Sequence, residues 1–146
     1  MNFEFTEQQQ QIMAQVRDFT AKRLAPGVVE RDEASEFPLE AFKEFGKMGM
    51  YGLCYPKEFG GTDIGYLPYI LAVAEVSKVD ASFGIAFSVN TSLYGGSVMY
   101  SNATDEQKKR FLGPIASGQA IGSFGLTEHS AGSDEAGQKT LATKDG

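Results

Sequence analysis

The sequence predicts a mainly α fold: an orthogonal bundle of about five or six helices, followed by the first strands of a truncated β domain. Three observations carry this. Thr6-Glu-Gln-Gln9 and Thr104-Asp-Glu-Gln107 each spell a capping box, in which a threonine hydroxyl serves a free N–H and glutamine reaches back to the cap. Between them, apolar residues recur at three- and four-residue spacing. After Gly118 the period changes to two, with Gly122, Phe124 and Leu126 alternating against Ser123, Gly125 and Thr127. Residues 1–118 therefore read as an all-α domain and 119–146 as the start of a β domain.

The first helix follows Thr6 and places Ile12, Val16 and Phe19 on one face. Pro26 interrupts it, because proline removes a donor and clashes with the preceding turn. A second helical piece runs from Pro26 to about Asp32. Pro38 suits the first turn of a third helix, where Ala41, Phe45 and Met48 align before a stop at Gly49. Tyr55-Pro-Lys-Glu-Phe-Gly-Gly-Thr-Asp63 is a turn-rich connection. Tyr66 to Val79 is helical again, with Tyr66, Ile70 and Val73 aligned.

Ala81 to Tyr100 is apolar nearly all round, as in a helix buried within a bundle. Its Gly95-Gly96 pair admits a close neighbour or a ligand. The helix opened by Thr104 ends near Ser117-Gly118, with Pro114 bending or shortening it. Ala120–Thr127 and Lys139–Lys144 are the two expected strands. Met13, Met48, Met50 and Met99 are expected to fill the core.

Composition narrows the function. The 42% apolar and 22% charged content is that of a globular protein. A net charge of −6, with no basic cluster longer than Lys108-Lys-Arg110, argues against nucleic-acid binding. The single cysteine, Cys54, excludes an intrachain disulfide and suits a reducing, cytoplasmic compartment. It reads as a small buried apolar side chain. Neither a signal peptide nor a bilayer-spanning apolar run is present. The triplets Asn90-Thr-Ser92 and Asn102-Ala-Thr104 are then chance matches to a glycosylation acceptor.

The stretch Ser123-Phe-Gly-Leu-Thr-Glu-His-Ser-Ala-Gly-Ser-Asp134 combines a strand-like lead-in with a turn rich in backbone N–H and hydroxyl donors. It lacks the Gly-Lys-Ser/Thr ending of a Walker loop and is not a Gly-x-Gly-x-x-Gly turn. Small residues let several N–H groups converge on one anion, as in a backbone nest. A face of glycine and short hydroxyls leaves room for a flat group, or equally for a packed backbone. Ligand binding and plain turn chemistry both fit the residues alone.

Several blocks, in order, resemble the N-terminal part of an acyl-CoA dehydrogenase of the short-chain or butyryl-CoA type. They are Phe5-Thr-Glu-Gln-Gln9, Leu24-Ala-Pro26, Phe45-Gly-Lys-Met-Gly-Met50 and Tyr55-Pro-Lys-Glu-Phe-Gly-Gly61. Glu106-Gln-Lys-Lys-Arg-Phe-Leu112 follows, then Gly125-Leu-Thr-Glu-x-x-Ala-Gly-Ser-Asp134. The resemblance covers essentially the whole chain and implies FAD as cofactor. It also implies an acyl-CoA substrate, electron-transferring flavoprotein as acceptor and a homotetramer for the full-length protein. By position, Thr127 is expected to hydrogen-bond the flavin ring, with the backbone of Phe124 and Leu126 at the same edge. Gly132 is expected to admit the pyrophosphate, and Ser133 to donate to a phosphate oxygen and lie near the thioester. The helices at about Tyr66–Val79 and Ala81–Tyr100 are implied to line the acyl pocket.

His129 stands where the family usually has proline, so the loop is expected to be less stiff. No residue here is assigned as catalytic and no metal is expected. The resemblance places the glutamate base in a C-terminal domain beyond these residues, and the chain alone is expected to be inactive. Two rivals remain: a related acyl-CoA oxidase or flavin monooxygenase, and a stand-alone helical interaction module.

Overall fold

The computed structural model describes residues 4–145. Its helices are α1 (Glu7–Phe19), α2 (Val28–Ala34), α3 (Leu39–Lys47), α4 (Tyr66–Ser77), α5 (Ala81–Ser88), α6 (Gly96–Tyr100) and α7 (Asp105–Ala116). Both capping boxes form. Gln9 N donates to Thr6 Oγ1 at 3.3 Å while Thr6 N donates to Gln9 Oε1 at 2.9 Å. Thr104 and Gln107 repeat the pair at 3.2 and 2.8 Å. Each threonine cap contributes about 1 kcal/mol.

Pro26 breaks the first helix as its chemistry requires, but only after α1 has widened into a π-helical segment, Thr20–Leu24. Gly27, at φ +71°, then turns the chain into α2. Pro114 neither stops nor shortens α7, which ends at Ala116. Having no N–H, it leaves the carbonyl of Arg110, an exposed residue, without its helical donor. Gly118, at φ +72°, ends this region against α3. A Cβ on Gly46 would lie 2.3 Å from Gly118 Cα, so the two backbones touch directly.

The expected helix Ala81–Tyr100 is continuous but not uniform. Asp80 caps α5 through Phe83 N at 2.9 Å. Val89–Gly95 is π-helical, and α6 completes the rod. Widening turns the Thr91 carbonyl sideways, where it accepts from the Tyr55 hydroxyl. Gly95 makes room for that tyrosine, since a Cβ there would overlap its oxygen.

The core is aromatic. Phe45 packs on Phe19, Phe83 and Phe87 with centroids 4.9, 5.5 and 5.1 Å apart. Phe42 meets Tyr51 at 4.6 Å, and Tyr69 meets Phe87 at 5.3 Å. Such tilted and edge-on pairs add about 0.5–1.5 kcal/mol each beyond burial. Ile12, Val16, Phe19, Ala41, Phe45 and Met50 are buried as the sequence suggests, and so is Cys54. An ion pair ties α1 to α4: Arg17 reaches Glu75 through two bonds of 2.9 Å.

Three expectations are corrected. The buried face of α4 is Tyr69, Ala72 and Val76, whereas Tyr66 and Ile70 are about half exposed. An apolar sequence without a polar side does not name its own inner face, and the choice follows the Arg17–Glu75 pair. Met48 is exposed rather than core. Among the described residues there is no β-strand: Ala120–Thr127 and Lys139–Lys144 lack a ladder partner. Alternation specifies a face, but a strand exists only when another backbone pairs with it.

Candidate functional site

The segment after Gly118 is held on the bundle at one buried point. Gly122 N donates to Asn90 Oδ1 at 2.7 Å, and the Tyr94 ring lies flush against Gly122. From Ser123 to Thr127 the backbone N–H groups have no partner among the described residues. The Leu126 carbonyl accepts from the Gln138 side-chain amide, so only its N–H stays free. The Phe124 ring, partly exposed, lines a cleft of about 500 Å³ with Tyr94, Ser97, Val98 and Phe111.

The loop beyond closes on itself. Glu128 N donates to Ala131 O at 2.8 Å, and Ala131 N returns to Glu128 O at 3.4 Å. The Glu128 carboxylate accepts from the Thr140 hydroxyl and from the amides of Lys139 and Thr140 at 2.8 Å each. These bonds hold it below its ordinary range, the Thr140 hydroxyl contributing most. Glu128 is thus a turn group, and its charge is engaged on the side of residues 139–140. Asp134 flanks a short 3₁₀ turn, Glu135–Gly137. His129 is exposed on the loop.

Turn closure brings Thr127 and Gly132 together, since a Cβ on Gly132 would sit 3.6 Å from Thr127 Cγ2. The hydroxyls of Thr127 and Ser133 are exposed and without a partner among the described residues. Neither Gly125 nor Gly132 has positive φ, and nothing crowds a Cβ at Gly125. This chain's own backbone and packing therefore do not require glycine at either position. Free N–H and O–H donors beside two bare positions suit a flat, acceptor-rich group with an anionic portion.

On the other side of α6 lies a second cleft, of about 380 Å³, lined by Tyr66, Thr91, Ser92, Leu93, Gly96, Ser97 and Tyr100. The hydroxyls of Tyr66 and Tyr100 bond to each other across it. Burial, then that bond, pushes the Tyr66 hydroxyl well above the usual tyrosine range, so it stays protonated. Thr91 is committed elsewhere, its hydroxyl donating to Tyr51 O at 3.2 Å. Ser97 borders both clefts. Helix α6 is therefore the wall between the donor-rich segment and an apolar pocket.

The family model for the acyl-CoA dehydrogenase N-terminal domain matches residues 6–119. The chain belongs to the acyl-CoA dehydrogenase family. It is 40% identical over 146 residues to the short-chain specific acyl-CoA dehydrogenase of Clostridium acetobutylicum, covering all of this chain and 38% of that protein. The butyryl-CoA dehydrogenase structure from Megasphaera elsdenii superposes with a TM-score of 0.92 at 38% identity, over 99% of this chain and 38% of that one. A chain from the structural study of the Acidaminococcus fermentans electron transferring flavoprotein gives 0.91 at 45% identity, over 95% and 36%. This chain thus spans little more than a third of the relatives it matches.

All five residues singled out in the sequence fall on one continuous segment, and turn closure brings two of them, Thr127 and Gly132, close together. Sequence reasoning missed Asn90 and Gln138, which hold that segment in place. Asn90 was visible only as part of a chance glycosylation triplet. Among the described residues, no three His, Cys, Asp or Glu side chains are grouped to hold a metal, and no helix is long and apolar enough to cross a membrane.

Proposed function

We propose that this chain supplies the helical domain and one flavin-binding rim of an FAD-dependent acyl-CoA dehydrogenase acting on short-chain thioesters. One observation carries the reading. The free donors from Ser123 to Thr127 and on Ser133 lie beside Gly125 and Gly132, which the chain's own packing leaves open. In this arrangement Thr127 Oγ1 and the N–H groups of Phe124 and Leu126 meet the flavin edge. Gly132 admits the pyrophosphate, and Ser133 donates to a phosphate oxygen beside the thioester.

Held by Thr127, Phe124, Leu126, Gly132 and Ser133, a flavin would supply the hydride-accepting chemistry for oxidation of the acyl group at Cβ. This chain's contribution is orientation and exclusion of water. The rim holds one edge of the cofactor, and the cleft across α6 holds the apolar acyl chain. No side chain here is assigned the α-proton. In this reading the glutamate that takes it lies outside these residues, electron-transferring flavoprotein is the acceptor and the full-length protein is a homotetramer.

The 146-residue chain by itself is expected to bind FAD weakly or not at all and to show no turnover. Association costs about 4–15 kcal/mol of lost translational and rotational freedom. A few rim bonds at about 0.5–1.5 kcal/mol each do not offset that.

Thr127→Val tests the rim in the full-length protein that carries this sequence. It preserves volume and removes one hydroxyl, so FAD affinity should fall by about 1–3 kcal/mol, roughly 5- to 150-fold. Titration of apoprotein with FAD reads the change; unaltered affinity and redox potential would return Thr127 to a structural role.

A further inference from the structure

We infer that Asn90 is a positioning residue that sets the register between the donor-rich rim and the apolar cleft; the inference rests on the flavin reading above. Asn90 is fully buried on the π-helical segment Val89–Gly95. Its Oδ1 takes the Gly122 N–H at 2.7 Å, while its Nδ2 is buried without a partner. The orientation is fixed by chemistry, because only the oxygen can accept from an N–H.

A buried, half-satisfied amide is a poor choice for packing alone. It leaves one donor group desolvated, a penalty that an apolar side chain of similar size would avoid on its own account. What the apolar side chain cannot do is hold Gly122. The amide therefore adds position at some expense of stability.

Position matters here because of what lies on either side. Asn90 is followed by Thr91, Ser92 and Leu93, which line the cleft. Gly122 leads into Phe124–Thr127. The Tyr94 ring closes on Gly122 from the same helical segment, and a Cβ on Gly122 would fall 2.4 Å from Tyr94 Cγ. Gly122 is thus gripped from two sides by one turn of helix. The widened turn makes this possible by burying both Asn90 and Thr91. Thr91 in turn fastens that turn to Tyr51 and Tyr55. The Asn90–Gly122 bond consequently fixes where the cofactor edge stands relative to the acyl chain. Hydride transfer is steeply sensitive to such placement, and a displacement of about 1 Å can cost 100-fold in rate.

The experiment compares wild-type full-length holoenzyme with Asn90→Leu and Asn90→Asp, reading FAD content, the visible flavin spectrum with and without butyryl-CoA, kcat and KM. Asn90→Leu removes the acceptor; Asn90→Asp keeps an acceptor oxygen in the same place. Asn90→Leu should retain stoichiometric FAD and a KM within about threefold, yet lose about 10- to 100-fold in kcat, with an altered substrate-induced spectral change. Asn90→Asp should recover most of that kcat. Should Asn90→Leu not fold, Asn90→Ala deletes the same acceptor and carries the same expectation. Unchanged kcat in the acceptor-deleting variant, a loss confined to KM, or an equal loss in Asn90→Asp would overturn the inference. A wild-type protein devoid of flavin would overturn the underlying flavin reading, and this inference with it.

Discussion

Replacing Glu75 with glutamine should destabilise the fold by about 2 kcal/mol at pH 7, and the difference should vanish in acid. Glu75 is 6% exposed and accepts from Arg17 Nε and Nη2 at 2.9 Å each and from Lys78 Nζ at 2.8 Å. The hydrogen bond from Arg17 is the main cause, with Lys78 assisting, of a carboxyl pKa lowered from 4.5 to about 2. At about 1.4 kcal/mol per pKa unit, that is roughly 3 kcal/mol favouring the ionised form. Arg17 is 57% exposed, so water screens its side of the pair and the expectation falls to about 2 kcal/mol.

The sign follows from the lowered pKa. The contribution is complete above the unfolded value of 4.5 and is lost as pH falls through about 2. Urea unfolding of both proteins, followed by circular dichroism from pH 7 down to 2.5, measures it. A difference below about 0.5 kcal/mol at pH 7 would refute the reasoning. So would a difference that stayed constant between pH 4.5 and 2.5.

Two glycine substitutions should behave oppositely. Gly46→Ala forces a methyl into the backbone of Gly118 and should cost about 2–3 kcal/mol by thermal or urea unfolding. Gly125→Ala meets nothing within 4 Å, so stability should hold within about 0.5 kcal/mol while FAD affinity of the full-length protein falls. Equal effects of the two would show that Gly125 serves packing. Cys54 is buried, and burial pushes its thiol up to about 11 from 9.0. It should therefore react with a thiol reagent at pH 8 about 100-fold more slowly than a free cysteine, because only thiolate attacks. Rapid labelling of the native protein would contradict that burial.

The helices were legible because their signals are local. Thr6, Gln9, Thr104 and Gln107 specify two starts within four residues each, and Pro26 and Gly118 specify two breaks. Ile12, Val16 and Phe19 name their inner face because polar residues occupy the other side of α1. Where composition is apolar all round, as in α4, that information is missing. The inner face is then chosen by a partner 58 residues away in sequence, Arg17. The π-helical widening at Val89–Gly95 was illegible for a similar reason, since Tyr55, distant in sequence, bonds to its displaced carbonyl.

The free donors of Ser123–Thr127 were legible in the sequence, but the strand expected of them does not form. Ser123–Thr127 declares itself through donors and missing side chains, both properties of the residues themselves. Strand formation depends on a neighbour, and among the described residues none pairs with it. The residues that fix the rim, Asn90, Tyr94 and Gln138, carry no local signature. An asparagine in an apolar run acquires meaning only once Gly122 is seen against it.

The most direct test of the account is the anaerobic visible spectrum of the purified full-length protein before and after butyryl-CoA. A protein carrying FAD near one per chain, whose flavin absorbance bleaches on adding the thioester and returns with an electron acceptor, is the predicted result. Colourless protein that takes up no FAD, or a flavin left oxidised by every short-chain acyl-CoA, would contradict it.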